Sequence, residues 1–252
     1  ILYDLAWYYH WWLNDDINFE KYYEEYESEV IKDRSIDEIL NLANLWTLEY
    51  TRKNKNKDTV KDKTETLLNL LKEKEESQSR VTQLLAKTRI CIIKITLEES
   101  IDKQFDDLIS IVEEATKFKE YDFIVLAKMI EILLPVYNEN KKYDKLYELI
   151  TDKLTNRKGE IQRAEMYLKK SKLLSSSSKH YDAISILGKC LTLLYKEETN
   201  GKLVEAYINI GANFESVGLL YVAKNYYIAA VTLFIDLYFK EGNLDTFSIK
   251  II

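Results

Sequence analysis

Glycine and proline are unusually scarce in this sequence, with six glycines and one proline among 252 residues. Glycine supplies the positive φ angles of tight turns and β-bulges, and phosphate-binding loops need several glycines close together. The scarcity therefore argues against β-sandwiches, β-barrels and nucleotide-binding α/β folds. It is compatible with helix-forming segments joined by polar connections, so the sequence predicts an all-α fold.

Apolar residues recur at three- and four-residue spacing along almost the whole chain, which is the pattern of amphipathic helices. Capping residues mark the breaks: Asn14, Asp15 and Asp16 precede the second helix, and Ser35 with Glu38 forms a capping-box pattern before the third. The predicted helices form six antiparallel pairs, at 2–13, 17–32, 36–52, 59–76, 80–97, 102–118, 121–138, 142–155, 159–175, 180–196, 202–216 and 219–240.

The second helix of each later pair begins with similar residues. These starts are Phe105, Tyr143, Tyr181 and Tyr221, which are 38, 38 and 40 residues apart. One helix pair cannot bury its own apolar face, so pairs that recur about every 40 residues stack on one another. The period predicts an α-solenoid.

The last complete repeat is similar to the tetratricopeptide repeat (TPR). The matching residues alternate aromatic, aliphatic and small side chains along two helices: Tyr207, Ile210, Gly211, Phe214, Gly218, Ala223, Tyr227 and Ala230. The resemblance covers 164–237 clearly and 80–157 in degenerate form. It implies a right-handed α-solenoid of about six antiparallel helix pairs.

Three regions are expected along one continuous solenoid. They are an aromatic-rich N-terminal helical region at 1–58, degenerate repeats at 59–157, and TPR-like repeats with a long C-terminal helix at 158–252. The chain opens on Ile1 and closes on the apolar Ile251 and Ile252, so we expect it to be an excerpt of a larger protein.

Residue types that carry catalysis or bind metals are few and poorly placed. His10 lies among tryptophans and tyrosines, where an aromatic ligand cage is an alternative to simple packing, and His180 precedes Tyr181 at a helix start. Two histidines cannot form a His-x-x-x-His metal pair at their spacing. Cys91 and Cys190 lie in apolar helical patterns that predict buried free thiols. The sequence predicts no catalytic residue, metal or cofactor.

Charge and hydropathy limit the kinds of partner and the location expected for this chain. A net charge of −6 argues against general nucleic-acid binding. No apolar stretch reaches the roughly 18 residues needed to span a membrane, and the thiols suggest a reducing compartment, so we expect a cytoplasmic protein. Residues 14–38 carry ten acidic and three basic side chains, whereas 139–172 carry ten basic and six acidic ones. Such patches either steer a charged protein partner or represent ordinary surface variation.

The TPR resemblance also implies an inner groove lined by the first helix of each pair. The residues expected to line it are Ile130, Leu134, Tyr137, Glu165, Leu168, Lys172, Glu205, Ile208, Ala212 and Glu215. A carboxylate clamp of the kind found in some TPR proteins is not expected, because Leu168 stands where a lysine would be needed.

The groove predicts a protein- or peptide-binding scaffold, acting as the recognition or sensor region of a multidomain signalling or defence protein. One alternative is a regulator resembling the peptide-sensing bacterial TPR regulators. Another is an enzyme with a pocket against the N-terminal aromatic helices. Partners other than a peptide include a second copy of the chain and domains outside this sequence.

Overall fold

The computed structural model describes residues 1–53, 56–154, 157–195 and 200–241. Within these ranges the chain is all-helical and has no β-strand, which confirms the predicted all-α fold. The twelve α-helices of the described ranges begin and end within a few residues of their predicted bounds. They are α1 (Leu2–Trp11), α2 (Asp16–Asp33), α3 (Ile36–Arg52), α4 (Lys61–Glu75), α5 (Arg80–Thr96), α6 (Ile101–Ala115), α7 (Phe123–Tyr137), α8 (Lys141–Lys153), α9 (Arg157–Ser176), α10 (His180–Leu194), α11 (Asn200–Ser216) and α12 (Leu220–Glu241).

Local capping explains several of these boundaries. The Asp15 carboxylate accepts a hydrogen bond from the Asn18 backbone N–H at 3.1 Å, and the Ser35 hydroxyl accepts one from the Glu38 N–H at 3.3 Å. The predicted capping box at Ser35 forms this half of its pattern. The Glu38 carboxylate instead accepts the hydroxyl proton of Tyr26 on α2, so this side chain ties two helices together.

The chain divides into two compact units, with the division between Tyr121 and Asp122. In unit 1, which is Ile1–Tyr121, α1 packs on α2 and α3, α3 packs on α4 and α5, and α5 packs on α6. Its core is rich in large side chains from successive helices: Phe19, Tyr23, Ile39, Leu42, Trp46, Leu67 and Leu71. The Trp46 indole N–H, buried in this core, donates to the Thr64 hydroxyl at 2.9 Å.

Unit 2 begins at Asp122 and repeats this packing order. Helix α7 lies against α8 and α9, α9 lies against α10 and α11, and α11 lies against α12. The apolar core between α9, α10 and α11 contains Ala164, Leu168, Leu187, Cys190, Leu194, Leu203, Ala206 and Ile210. In both units, therefore, the first helix of a pair contacts its own partner and the first helix of the next pair.

Gly211 marks a close approach between α11 and α12. A Cβ atom at this position would lie 2.7 Å from Cε1 of Tyr227 and 2.8 Å from its Cδ1. The Tyr227 ring is held there by a hydrogen bond from its hydroxyl to Glu215 Oε2 at 2.7 Å. A Cβ atom built in the same way on Gly188 of α10 meets only open space beyond its own stretch of helix.

These two glycines are expected to respond oppositely to one substitution. Gly211→Leu should lower the free energy of unfolding by about 1–3 kcal/mol because the new side chain collides with Tyr227. Gly188→Leu should raise it by about 0.5–1 kcal/mol, because leucine favours an exposed helical position where glycine is costly. Urea denaturation of both variants checks this, and changes of the same sign would contradict the packing at Gly211.

Candidate protein-binding surface

Three of the residues predicted to line the groove are buried. Ile130 and Leu134 of α7 and Leu168 of α9 are almost entirely inaccessible to solvent. The Ile130 carbonyl accepts a hydrogen bond from the Tyr143 hydroxyl at 2.8 Å, and Leu168 belongs to the core beneath α10. Their burial corrects the assignment of these three side chains to an open groove, because they pack in the interior of unit 2. Tyr137 is half-buried, with its ring centroid 6.3 Å from that of Tyr143.

Three of the four charged residues predicted to line the groove form ion pairs between α9 and α11. Lys172 Nζ of α9 lies 2.6 Å from Glu205 Oε1 of α11. Glu165 of α9 pairs with Lys202 of α11 in the reverse sense. The charges that were expected to meet a partner therefore join neighbouring helices, and their mutual neutralisation reduces what they can offer to a ligand.

A similar pair links α7 and α9. Lys169 Nζ lies 2.8 Å from Oε2 of Glu131, a carboxylate that is nearly buried. Ion pairs thus connect α7 to α9 and α9 to α11.

The remaining predicted residues, Ile208, Ala212 and Glu215, are exposed on α11. Of these, Glu215 lines an open cleft of about 390 Å³ between α11 and α12. The other lining residues all come from α12 and are mainly apolar: Leu220, Ala223, Lys224, Tyr227, Ile228, Val231 and Thr232. The predicted groove and the observed cleft therefore meet at Glu215.

The exposed apolar face of α12 was not predicted from the sequence. Its residues recur at four-, four-, three-, four- and four-residue spacing, and we call them the α12 stripe: Leu220, Lys224, Ile228, Val231, Ile235 and Phe239. Ile228 and Val231, at its centre, are 51% and 57% exposed. Their periodicity could have revealed a second apolar face beside the buried Ala223, Ala230 and Leu237.

Comparison within unit 2 shows why this face is unusual. Helix α10 lies between α9 and α11 and buries Leu187, Cys190 and Leu194. Among the described residues, the helix that packs extensively on α12 is α11 alone. The α12 stripe thus has the composition of a helix–helix contact without a helix against it in this part of the chain.

The two cysteines are confirmed as buried free thiols. Burial raises the pKa of Cys91 and that of Cys190 to about 12 in each case. Thiols that hold their protons at neutral pH are poor nucleophiles.

His10 packs against aromatic rings, with its centroid 4.9 Å from Trp11 and 5.5 Å from Phe19. Its pKa is lowered, first by burial and second by the charge of Arg52. His180 begins α10 as predicted, but it is half-buried and its Nδ1 lies 3.0 Å from Asn213 Oδ1. Both histidines therefore have structural contacts.

Among the described residues, no group of three or more His, Cys, Asp or Glu side chains is arranged to hold a metal ion. No helix within the described ranges combines the length and apolar character needed to cross a membrane.

Comparisons with known proteins give a structural match. No protein-family model and no curated protein matches the sequence. The crystal structure of BtubC (BKLC) from P. vanneervenii is similar with a TM-score of 0.53 and 15% sequence identity, over 85% of this chain and 87% of that one. At this identity the likeness concerns the fold, and the chain is similar to BtubC in its helical architecture.

Proposed function

We propose that this chain is a TPR-like α-solenoid that binds a segment of another protein, within the recognition region of a larger protein. The packing order inside each unit supports the solenoid, because successive first helices contact one another in series. The close approach at Gly211 supports the TPR resemblance, because a small residue stands where that repeat needs one.

The exposed α12 stripe is the observation that carries the binding function. An apolar face with three- and four-residue spacing accepts the matching face of a second helix, which docks through residues one turn apart. Exposed Ile228, Val231 and Ile235 would supply the apolar contact, and the cleft beside Glu215 and Tyr227 would receive a side chain from the incoming helix.

Charge selects the type of helix. Lys224 interrupts the stripe near one end, and Glu215 lines the same cleft. The occupant that fits is an amphipathic helix of a partner protein with an acidic residue opposite Lys224 and a basic residue opposite Glu215. This differs from the inner groove expected from the sequence, where Glu165, Lys172 and Glu205 already form ion pairs.

Selection from a displayed library of amphipathic helical peptides tests this proposal. We expect bound peptides to show apolar residues at three- and four-residue spacing, and Ile228→Glu to weaken their affinity at least tenfold, or about 1.4 kcal/mol. Ile132→Glu is the matched control, because Ile132 is an exposed isoleucine on α7, away from the stripe. Fluorescence anisotropy with labelled peptides measures the affinities.

Two outcomes would overturn the proposal. One is an affinity that Ile228→Glu leaves unchanged, or that Ile132→Glu weakens as much. The other is a dimer in sedimentation velocity that Ile228→Glu dissociates, since a second copy of the chain would then occupy the stripe.

A further inference from the structure

Helix α1 of unit 1 presents a group of aromatic side chains to solvent. Trp11 and Trp12 are 61% and 81% exposed, and Tyr8 is about half exposed. Trp7 stacks on Trp11, with ring centroids 6.0 Å apart and planes 15° from parallel, while it also packs on the core. With Asp4 these four rings line an open cleft of about 600 Å³, which we call the aromatic cleft.

A second cleft adjoins the first and is acidic. Its volume is about 420 Å³, and Asp4 belongs to both clefts. The carboxylates of Glu29, Asp33 and Glu38, from α2 and α3, also line it. In the described part of the chain, no lysine or arginine side chain lines either cleft. The amino group of Ile1, 3.4 Å from Asp4 Oδ2, forms an exposed ion pair of the kind that contributes little.

The chemistry of the two clefts favours a cationic ligand. The face of an indole ring attracts ammonium and guanidinium groups, and tryptophan does so most strongly among the aromatic residues. A carboxylate at the edge of the same cleft adds a direct charge interaction. An anionic segment would meet four carboxylates, and a purely apolar helix would have to take the exposed Asp4 carboxylate out of water.

We infer that the aromatic and acidic clefts together bind a basic segment of a partner protein. An arginine or lysine side chain stacks on the exposed indole of Trp11, and a second basic side chain enters the acidic cleft at Asp4, which lines both clefts. Asp4 and Trp11 are seven helical positions apart, a rise of about 10 Å. An extended peptide covers that length in about three residues, so the two basic residues stand about three positions apart.

Tryptophan fluorescence provides a direct test. Trp7, Trp11 and Trp12 lie at the aromatic cleft, whereas Trp46 is buried in the core. Titration with a peptide carrying two arginines three positions apart should change the emission, and alanine or glutamate in their place should abolish the change. Trp11→Ala should weaken binding at least tenfold and Asp4→Asn about threefold or more, both measured with a labelled peptide. Affinity should fall as salt is added, because the charges lie at the surface.

Tyr181→Ala is the matched control for removing an exposed ring, since Tyr181 is 68% exposed on α10. It should leave the affinity unchanged, as should Ile228→Glu, which separates this surface from the α12 stripe. Equal affinity of Trp11→Ala for the basic peptide, or equal binding of the glutamate peptide, would overturn the inference. Equal affinity for arginine amide alone would also overturn it, because the site would then recognise a small cation.

Discussion

Replacement of Glu49 with alanine is expected to lower the free energy of unfolding by about 3–5 kcal/mol. Glu49 lies on α3 with only 1% of its surface exposed. Its carboxylate accepts a hydrogen bond from Arg52 at 3.1 Å and one from Lys63 at 3.2 Å, and Lys53 lies 3.9 Å away. One buried anion therefore lies close to three cations, Arg52 of α3, Lys53 just after it and Lys63 of α4.

The cost comes from the charges left behind. Arg52 and Lys63 are themselves mostly buried, and their other partners, Asp16 and Glu20 of α2, are more exposed. Without Glu49 these cations would keep their desolvation penalty and lose their nearest anion. Lys63 would still lie over the Tyr23 ring at 4.5 Å, a contact too weak to replace an ion pair.

Glu73→Ala is the matched control. Glu73 pairs with Arg34 at 2.8 Å, but about half of each side chain is exposed. Solvent screening limits such a pair to about 1 kcal/mol or less. Urea denaturation followed by far-UV circular dichroism measures both variants. If Glu49→Ala lowers the free energy of unfolding by an amount within 1 kcal/mol of that for Glu73→Ala, the buried cluster does not stabilise unit 1.

A rise in pH from 8 to 11 is expected to destabilise the fold by several kcal/mol. Burial is the main cause of a raised pKa at a set of tyrosines: Tyr23, Tyr26, Tyr143, Tyr147, Tyr207 and Tyr227. For Tyr207 and Tyr227 the pKa is about 12, and for the buried thiols of Cys91 and Cys190 it is also about 12.

The sign of this stability change follows from the pH at which the folded and the unfolded chain release their protons. The unfolded chain loses thiol protons near pH 8.5 and tyrosine protons near pH 10, whereas the folded chain holds them to higher pH. Stability is therefore complete below these unfolded values and is lost as pH rises toward the folded ones. Above pH 10 each fully buried tyrosine costs on the order of 1.4 kcal/mol per pH unit.

Tyr143 and Tyr147 give this effect a structural basis. Their hydroxyls donate to the carbonyl oxygens of Ile130 at 2.8 Å and Met166 at 2.6 Å. A tyrosinate has no proton to donate, so ionisation would place a buried negative charge against a carbonyl oxygen. Arg89 acts in the opposite sense, because burial lowers its pKa to about 10, but it is one group against several.

Thermal melts between pH 8 and pH 11 measure this loss, and tyrosinate absorbance shows whether ionisation accompanies it. Recovery of the original melting temperature on return to pH 8 is the control for irreversible chemistry. A melting temperature that stays constant up to pH 11 would contradict the burial of these hydroxyls and thiols.

Some features of the structure could be predicted from short stretches of sequence and others could not. Ser35 and Asp15 mark helix starts because a cap needs only residues within one turn. The burial of Cys91 and Cys190 also follows from apolar neighbours at helical spacing. The assignment of Ile130, Leu134 and Leu168 to a groove depended instead on which side of a helix its neighbour covers, and there the expectation was wrong.

The same distinction separates what local chemistry settles from what depends on distant contacts. The positions of the helices, the all-α character of the fold and the capping residues follow from interactions within a few residues. They can therefore be predicted from the sequence. Other features depend on which residues of different helices meet. They are the pairing of Glu165 with Lys202, the contact of Glu38 with Tyr26 and the exposure of the α12 stripe. A helix with two apolar faces can bury either of them. The way in which neighbouring helices cross it decides which face stays exposed, and those crossings depend on side chains many residues away in the chain.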